Sequence, residues 1–91
     1  MTKEQVLMFA EKVGKEACDN YYRSVNVGIY NSNYIVQINC EVNGKRTSLG
    51  FEFIPEKYEN SMEKEYAECV SQITQAIDRF VMIEKQRSIK S

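Results

Sequence analysis

The residues that most often carry out chemistry in proteins are scarce in this sequence. The chain of 91 residues contains three cysteines and four glycines, but no histidine. Without histidine there is no imidazole to act as a general acid or base, to activate a nucleophile, or to bind a metal ion. We therefore expect no catalytic residues, no metal site and no cofactor, and we interpret the protein as non-enzymatic.

The cysteines do not have the spacing of a reactive or metal-binding set. Cys18, Cys40 and Cys69 are far apart, and none forms a C-x-x-C pair. Each lies beside or within an apolar stripe, which is typical of a buried thiol. We expect three reduced, buried thiols in a cytoplasmic protein, with an exposed reactive cysteine as the alternative.

Length and composition indicate one globular domain spanning residues 1–91. A chain of this size is too short to divide into two cores, and 43% of its residues are hydrophobic. No apolar stretch approaches the ~20 residues that a membrane span needs, so we expect no membrane partner. The net charge of −1 is not that of a uniformly basic nucleic-acid binder.

A helical pattern of apolar residues opens the chain. It predicts helix 1 from Lys3 to about Tyr22, and Thr2 and Gln5 have the spacing of a capping box at its start. Met8 and Tyr22 fall opposite the apolar stripe on a helical wheel. We therefore expect both of these large side chains to be exposed.

A second helical pattern closes the chain. Pro55 is expected to end the preceding strand, and Asn60 is a suitable N-cap for helix 2. Glu84 returns to the azimuth of the apolar stripe, so we expect contact with the core to end near Val81. Residues 87–91 are expected to be loosely ordered.

Between the helices, three runs alternate between apolar and polar residues and predict three strands. The apolar positions are Val25, Val27, Ile29, Val36, Ile38, Cys40, Val42, Leu49, Phe51 and Phe53. A type I′ turn at Asn43-Gly44 aligns the second and third runs so that Val36 faces Phe51. A four-residue turn at residues 31–34 aligns the first and second runs so that Ile29 pairs with Val36. With this register, the apolar residues of both hairpins lie on the same face of the sheet.

These elements predict an α+β domain of two layers in the order αβββα. The three strands form an antiparallel meander in the order 1-2-3. Both helices cover the same face of the sheet, because two amphipathic helices and one half-apolar sheet must bury their apolar surfaces together.

The order αβββα resembles that of the double-stranded-RNA-binding domain over nearly the whole chain. That family has a lysine-rich segment at the start of its second helix, whereas this sequence reads Glu59-Asn60-Ser61-Met62-Glu63-Lys64-Glu65. Phosphate contacts dominate nucleic-acid affinity, so the resemblance implies architecture alone. A divergent nucleic-acid-binding module is our alternative interpretation, using the basic residues Lys45, Arg46, Arg79, Lys85, Arg87 and Lys90.

The first predicted strand provides the candidate binding site. Residues 25–30 form an edge strand that contains no charged residue and no proline. Charged residues and proline are what usually protect an edge strand against unwanted pairing. The open face beside this edge carries Gly28, Tyr30, Ile35 and Gln37. We predict that a protein partner binds there, with a homodimer as a second form of the same contact.

An acidic patch is the second candidate surface. Glu56, Glu59 and Glu63 cluster around the start of helix 2, and we expect several such carboxylates to complement the positive N-terminal end of the helix. The functional alternative is an acidic patch that binds a basic partner or partly mimics a phosphate backbone. The protein is thus interpreted as a small protein–protein binding module, an accessory or inhibitor protein from a phage or other mobile element.

Overall fold

The computed structural model describes the backbone of residues 2–90 and the side chains of residues 2–87. The elements in chain order are α1 (Lys3–Cys18), a 3₁₀ turn (Asp19–Tyr21), β1 (Tyr22–Tyr30), β2 (Asn33–Val42), β3 (Lys45–Phe53), α2 (Pro55–Asn60) and α3 (Met62–Lys90). The strands form one antiparallel sheet in the order β1-β2-β3. The predicted αβββα architecture is confirmed, with one additional short helix, α2.

Helix α1 begins as predicted but ends earlier. The Gln5 amide donates to Thr2 Oγ1 at 3.2 Å, and the Thr2 amide donates to Gln5 Oε1 at 2.9 Å. This reciprocal pair confirms the capping box. The helix ends at Cys18 rather than near Tyr22, because Asp19 has a φ of 47° and cannot continue the helix.

The β2–β3 hairpin has the predicted register. Val42 pairs with Lys45, and Val36 pairs with Phe51. The turn residues Asn43 and Gly44 have φ values of 51° and 81°. Two successive positive φ values define a type I′ turn, whose twist matches that of the strands it joins.

The predicted register of the β1–β2 hairpin is wrong by two residues. Val36 pairs with Val27, and Ile29 pairs with Tyr34, because the turn consists only of Asn31-Ser32. Both turn residues have positive φ, 49° and 67°, although serine rarely adopts this conformation. A shift of two residues keeps every side chain on its predicted face, but it moves Ile29 away from Val36.

A β-bulge near the start of β1 directs Tyr22 towards the core. Tyr22 pairs with Cys40 and Ser24 pairs with Asn39, so β1 has one residue more than β2 in this interval. The ring of Tyr22 consequently packs against Gly14 in α1. The expectation that Tyr22 is exposed is therefore wrong.

The core lies between the helices and one face of the sheet. α1 packs on β1 and β2, while α3 packs on β2 and β3. The largest fully buried side chains include Val6, Val13, Val36, Ile38, Val42, Ile73 and Ile77. Most of the opposite face of the sheet is left exposed.

Helix α3 is separate from α2, and burial along it continues further than predicted. It begins at Met62, and the Glu65 amide bonds the carbonyl of Ser61, so Asn60 ends α2 instead of capping the long helix. Glu84 is only 5% exposed, which shows that burial continues one turn past Val81.

The C-terminal end of α3 is helical to Lys90. The expectation of loose order over residues 87–91 stays a prediction, and Ser91 lies outside the described residues. None of the helices within residues 3–90 is both long and apolar enough to cross a membrane.

Candidate protein-binding site

Large apolar side chains are exposed together at the turn end of β1. Ile29 is 67% exposed and Tyr30 64% exposed, and Ile35 is also exposed on the neighbouring strand. Gly28 pairs directly with Ile35 and leaves one flank of that side chain uncovered. Ile29 lies on the other, helix-facing side of the sheet, so we name only Gly28, Tyr30 and Ile35 the edge patch.

The sequence-based candidates lie together on this surface. Gly28, Tyr30 and Ile35 belong to the edge patch, and Gln37 is the next exposed residue of β2 on the same face. The pattern missed Ile29, because strand alternation assigns it to the helix-facing side of the sheet. The helices leave this end of β1 uncovered, so Ile29 is exposed instead of buried.

In the central part of the open face, polar side chains form hydrogen bonds with one another. Asn39 Nδ2 donates to Ser24 Oγ at 3.1 Å, and Ser48 Oγ donates to Asn39 Oδ1 at 2.9 Å. These bonds link all three strands across the face. The exposed large apolar side chains of this face, Tyr30 and Ile35, both belong to the edge patch.

Several of the predicted basic residues are near carboxylates. Arg46 Nε lies 3.6 Å from Glu41, which also lies 3.8 Å from Arg23. Arg87 lies 3.4 Å from the buried carboxylate of Glu84. The other predicted basic residues with described side chains, Lys45, Arg79 and Lys85, are exposed. Nucleic-acid binding through these residues stays a prediction.

The acidic candidates lie at the corner where α2 meets α3. Glu56 is in the first turn of α2, Glu59 is near its end, and Glu63 is in the first turn of α3. All three side chains are exposed. Carboxylates in a first helical turn stabilise the helix on their own, so a partner-binding role for this patch stays a prediction.

A groove that sequence reasoning did not find lies between α1 and the α2–α3 corner. It has a volume of about 750 Å³, and its lining includes Met8, Phe9, Lys12, Tyr58, Met62 and Tyr66. Phe9 forms the floor, with its ring centre 4.7 Å from that of Tyr58 and 5.7 Å from that of Tyr66. The sequence signal for this groove was the position of Met8, which falls opposite the apolar stripe and is exposed as predicted.

Polar contacts hold the two sides of the groove together. The Tyr66 hydroxyl donates a hydrogen bond to the Glu16 carboxylate, which joins α3 to α1. This bond, with a smaller effect of burial, raises the pKa of Tyr66 to about 12. Lys12 Nζ lies 6.0 Å from the centre of the Tyr66 ring, at the limit of a cation–π contact. The α1 rim of the groove carries Lys12 together with Lys15 and Glu11, which form an ion pair at 2.7 Å, while Glu63 lies on the α3 rim.

The thiols are buried, which confirms the predicted burial and excludes the alternative of an exposed cysteine. Cys18 is 1% exposed and Cys69 is 9% exposed. Burial raises the pKa of all three thiols, that of Cys69 to about 11. A thiol reacts as a nucleophile in its thiolate form, so this rise in pKa lowers the reactivity of all three cysteines at neutral pH.

Comparison of the chain with protein-family models, curated proteins and solved structures found no significant match. The function is therefore inferred from the surfaces of the chain itself.

Proposed function

We propose that this protein is a small, non-enzymatic protein-binding module that holds its partner along β1. The observation that supports this proposal is the edge patch: Tyr30 and Ile35 expose large apolar side chains on the open face of the sheet at an edge strand, and Ile29 is exposed on the other face of the same strand. Exposed apolar residues that lie together on a surface mark interaction sites more often than residues scattered singly. An aromatic residue next to aliphatic ones is also typical of an interface centre.

The mode of binding follows from the position of β1 in the sheet. Within the described chain β1 pairs with β2 only, so its outer side presents unpaired backbone groups. A partner strand added there gains main-chain hydrogen bonds, while the edge patch supplies contacts for its side chains. β1 carries one charged residue, Arg23 near its start, whereas the other edge, β3, carries Lys45, Arg46 and Glu52, which discourage pairing.

The role that we propose for this module is that of an accessory or inhibitor protein from a phage or other mobile element, acting in the cytoplasm. A small domain acts in this way by occupying a surface of its partner. The three buried free thiols support a reducing compartment. The absence of histidine from the sequence supports a role without acid–base catalysis.

The test is affinity capture from a lysate of the cells that contain the protein, quantified by mass spectrometry. Gly28→Lys adds a long charged side chain to the edge patch, where an ideal Cβ meets no atom within 4 Å. Tyr30→Ala removes the aromatic group. Ser48→Lys is the matched control, because it adds the same charge to the same face of the sheet but on β3, the edge strand whose charged residues discourage pairing.

We expect a partner whose recovery falls at least about tenfold with Gly28→Lys and Tyr30→Ala but is unchanged with Ser48→Lys. If both edge variants capture the same proteins in the same amounts as the wild type, the binding surface is not β1, and the acidic patch is the next candidate. Salt-sensitive binding of generic duplex RNA or DNA, unaffected by Gly28→Lys, would favour the nucleic-acid alternative.

A further inference from the structure

Two of the buried thiols lie side by side where α1 meets the sheet. Cys18 is the last residue of α1, Cys40 lies on β2, and both side chains are buried. The Cys18 thiol donates a hydrogen bond to the sulfur of Cys40. A disulfide needs two cysteines whose side chains point towards each other, and a hydrogen bond between the thiols meets that requirement.

The path of the chain explains why these two thiols meet. Asp19, with its positive φ, ends α1, and the 3₁₀ turn then returns the chain to the sheet. Tyr22, which follows this turn, pairs with Cys40 across the strands. Cys18 is therefore one short turn away from the strand neighbour of Cys40. Cys69 lies apart on α3, where burial, Glu65 and Glu68 raise the pKa of its thiol, with no contribution from another cysteine.

The two thiols are protected in the folded protein, but not equally. Burial raises the pKa of both, which slows any attack that requires a thiolate. The hydrogen bond from Cys18 and the positive charge of Arg23 oppose this rise in the pKa of Cys40. Asp19 and Asn20, which follow Cys18 directly, are exposed. Local opening of this turn therefore gives a small oxidant a short route to the pair.

We infer that Cys18 and Cys40 form a reversible disulfide when the protein meets a low-molecular-weight disulfide such as oxidised glutathione. The thiolate of one cysteine attacks a sulfur of the oxidant and releases one glutathione. The other cysteine then displaces the second glutathione, so the S–S bond of the oxidant breaks as the Cys18–Cys40 bond forms. The oxidant gains the two electrons that the cysteines lose, and both cysteine protons end on the released glutathione thiols.

This disulfide is a staple between the first helix and the middle strand. It closes a loop that contains all of β1. A cross-link of this kind restricts the unfolded chain, so oxidation is expected to stabilise the fold. The bond lies in the core and leaves Tyr30 and Ile35 of the edge patch unchanged. The inference is therefore independent of the proposed partner site.

The test is to incubate the native wild-type protein with oxidised glutathione and to measure its intact mass and its peptides. We expect a monomer that has lost the mass of two hydrogen atoms and regains it with dithiothreitol. Proteolysis at Arg23, which lies between the two cysteines, should leave two peptides linked through Cys18 and Cys40. Cys69 should stay free and should react with an alkylating agent in denaturant. The midpoint of thermal unfolding should rise by about 8 °C or more on oxidation.

Two variants provide the controls. Cys69→Ala retains the pair and should form the same disulfide, whereas Cys40→Ala should form no intramolecular disulfide. The wild-type result does not depend on how well either variant folds. A native wild type that keeps three free thiols, stops at a glutathione adduct, or links through Cys69 or between chains overturns the inference. A Cys18–Cys40 bond that forms only in denaturant overturns it as well, and a lower unfolding midpoint would overturn the role as a staple.

Discussion

The ring of Tyr22 packs directly on the backbone of Gly14, where no larger residue fits. A Cβ added to Gly14 would lie 2.7 Å and 2.8 Å from two ring carbons of Tyr22, and 3.2 Å from Cγ2 of Ile38. The contact exists because helix α1 ends at Cys18 and the bulge in β1 directs Tyr22 back towards the helix. It ties the first helix to the first strand.

Gly14→Ala is expected to destabilise the protein by about 1–3 kcal/mol, the cost of overpacking a filled core. The free energy of unfolding measured in urea provides the test. Gly28→Ala is the matched control, since a Cβ there meets no atom within 4 Å. That control should be neutral or stabilising by up to about 1 kcal/mol. Equal effects of the two substitutions would show that the Tyr22–Gly14 contact is not tight.

The short β1–β2 turn makes a separate prediction at Ser32, whose φ is 67°. A residue with a side chain pays about 1–2 kcal/mol in the left-handed region, and glycine does not. We expect Ser32→Gly to raise the free energy of unfolding by about 0.5–1 kcal/mol. Ser32→Ala, which keeps a Cβ, should give no gain. A destabilising Ser32→Gly would contradict the two-residue turn and support the longer turn predicted from sequence.

The buried thiols predict slow chemical labelling of the native protein. A thiol reagent should modify all three cysteines rapidly in denaturant and slowly without it, because native labelling must wait for local opening. Cys69 should react first, since it is 9% exposed whereas Cys18 is 1% exposed. Peptide mass mapping after short exposures provides the order. Fast native modification of Cys18 would contradict its burial.

Alkaline pH is expected to destabilise the fold. Burial raises the pKa of Cys69 to about 11, so the folded state holds this proton more tightly than the unfolded state does. The resulting stabilisation is complete below the pKa of a cysteine thiol in the unfolded chain, which is about 8.5. It is lost as pH rises from there through about 11. Tyr66, whose pKa is raised from 10.0 to about 12, adds to the loss as pH rises through that range.

The measurement is urea unfolding at a series of alkaline pH values. Cys69→Ala removes one of the titrating groups, and its stability should decline less steeply between about pH 8.5 and 11 than that of the wild type. A free energy of unfolding that stays constant over this range would mean that the thiols are not protected from ionisation by the fold.

The sequence by itself determined the features that depend on neighbouring residues. The capping box at Thr2 and Gln5, the type I′ turn at Asn43-Gly44 and the alternation along the strands all have the predicted form. Each is specified by backbone and side-chain preferences within a few positions, so pattern and spacing are sufficient to predict it. Tyr30 and Ile35 were likewise predicted on the open face, because alternation along a strand is a local property.

The tertiary structure alone decided the features that depend on residues distant in sequence. The positive φ of Ser32 is unfavourable locally, and it exists because the pairing of β1 with β2 outweighs its cost. The exposure of Ile29 depends on where the helices stop covering the sheet. The groove forms only where α1 meets the α2–α3 corner, with Phe9 packed beneath Tyr66. No local pattern encodes these contacts, since packing of the whole chain selects them.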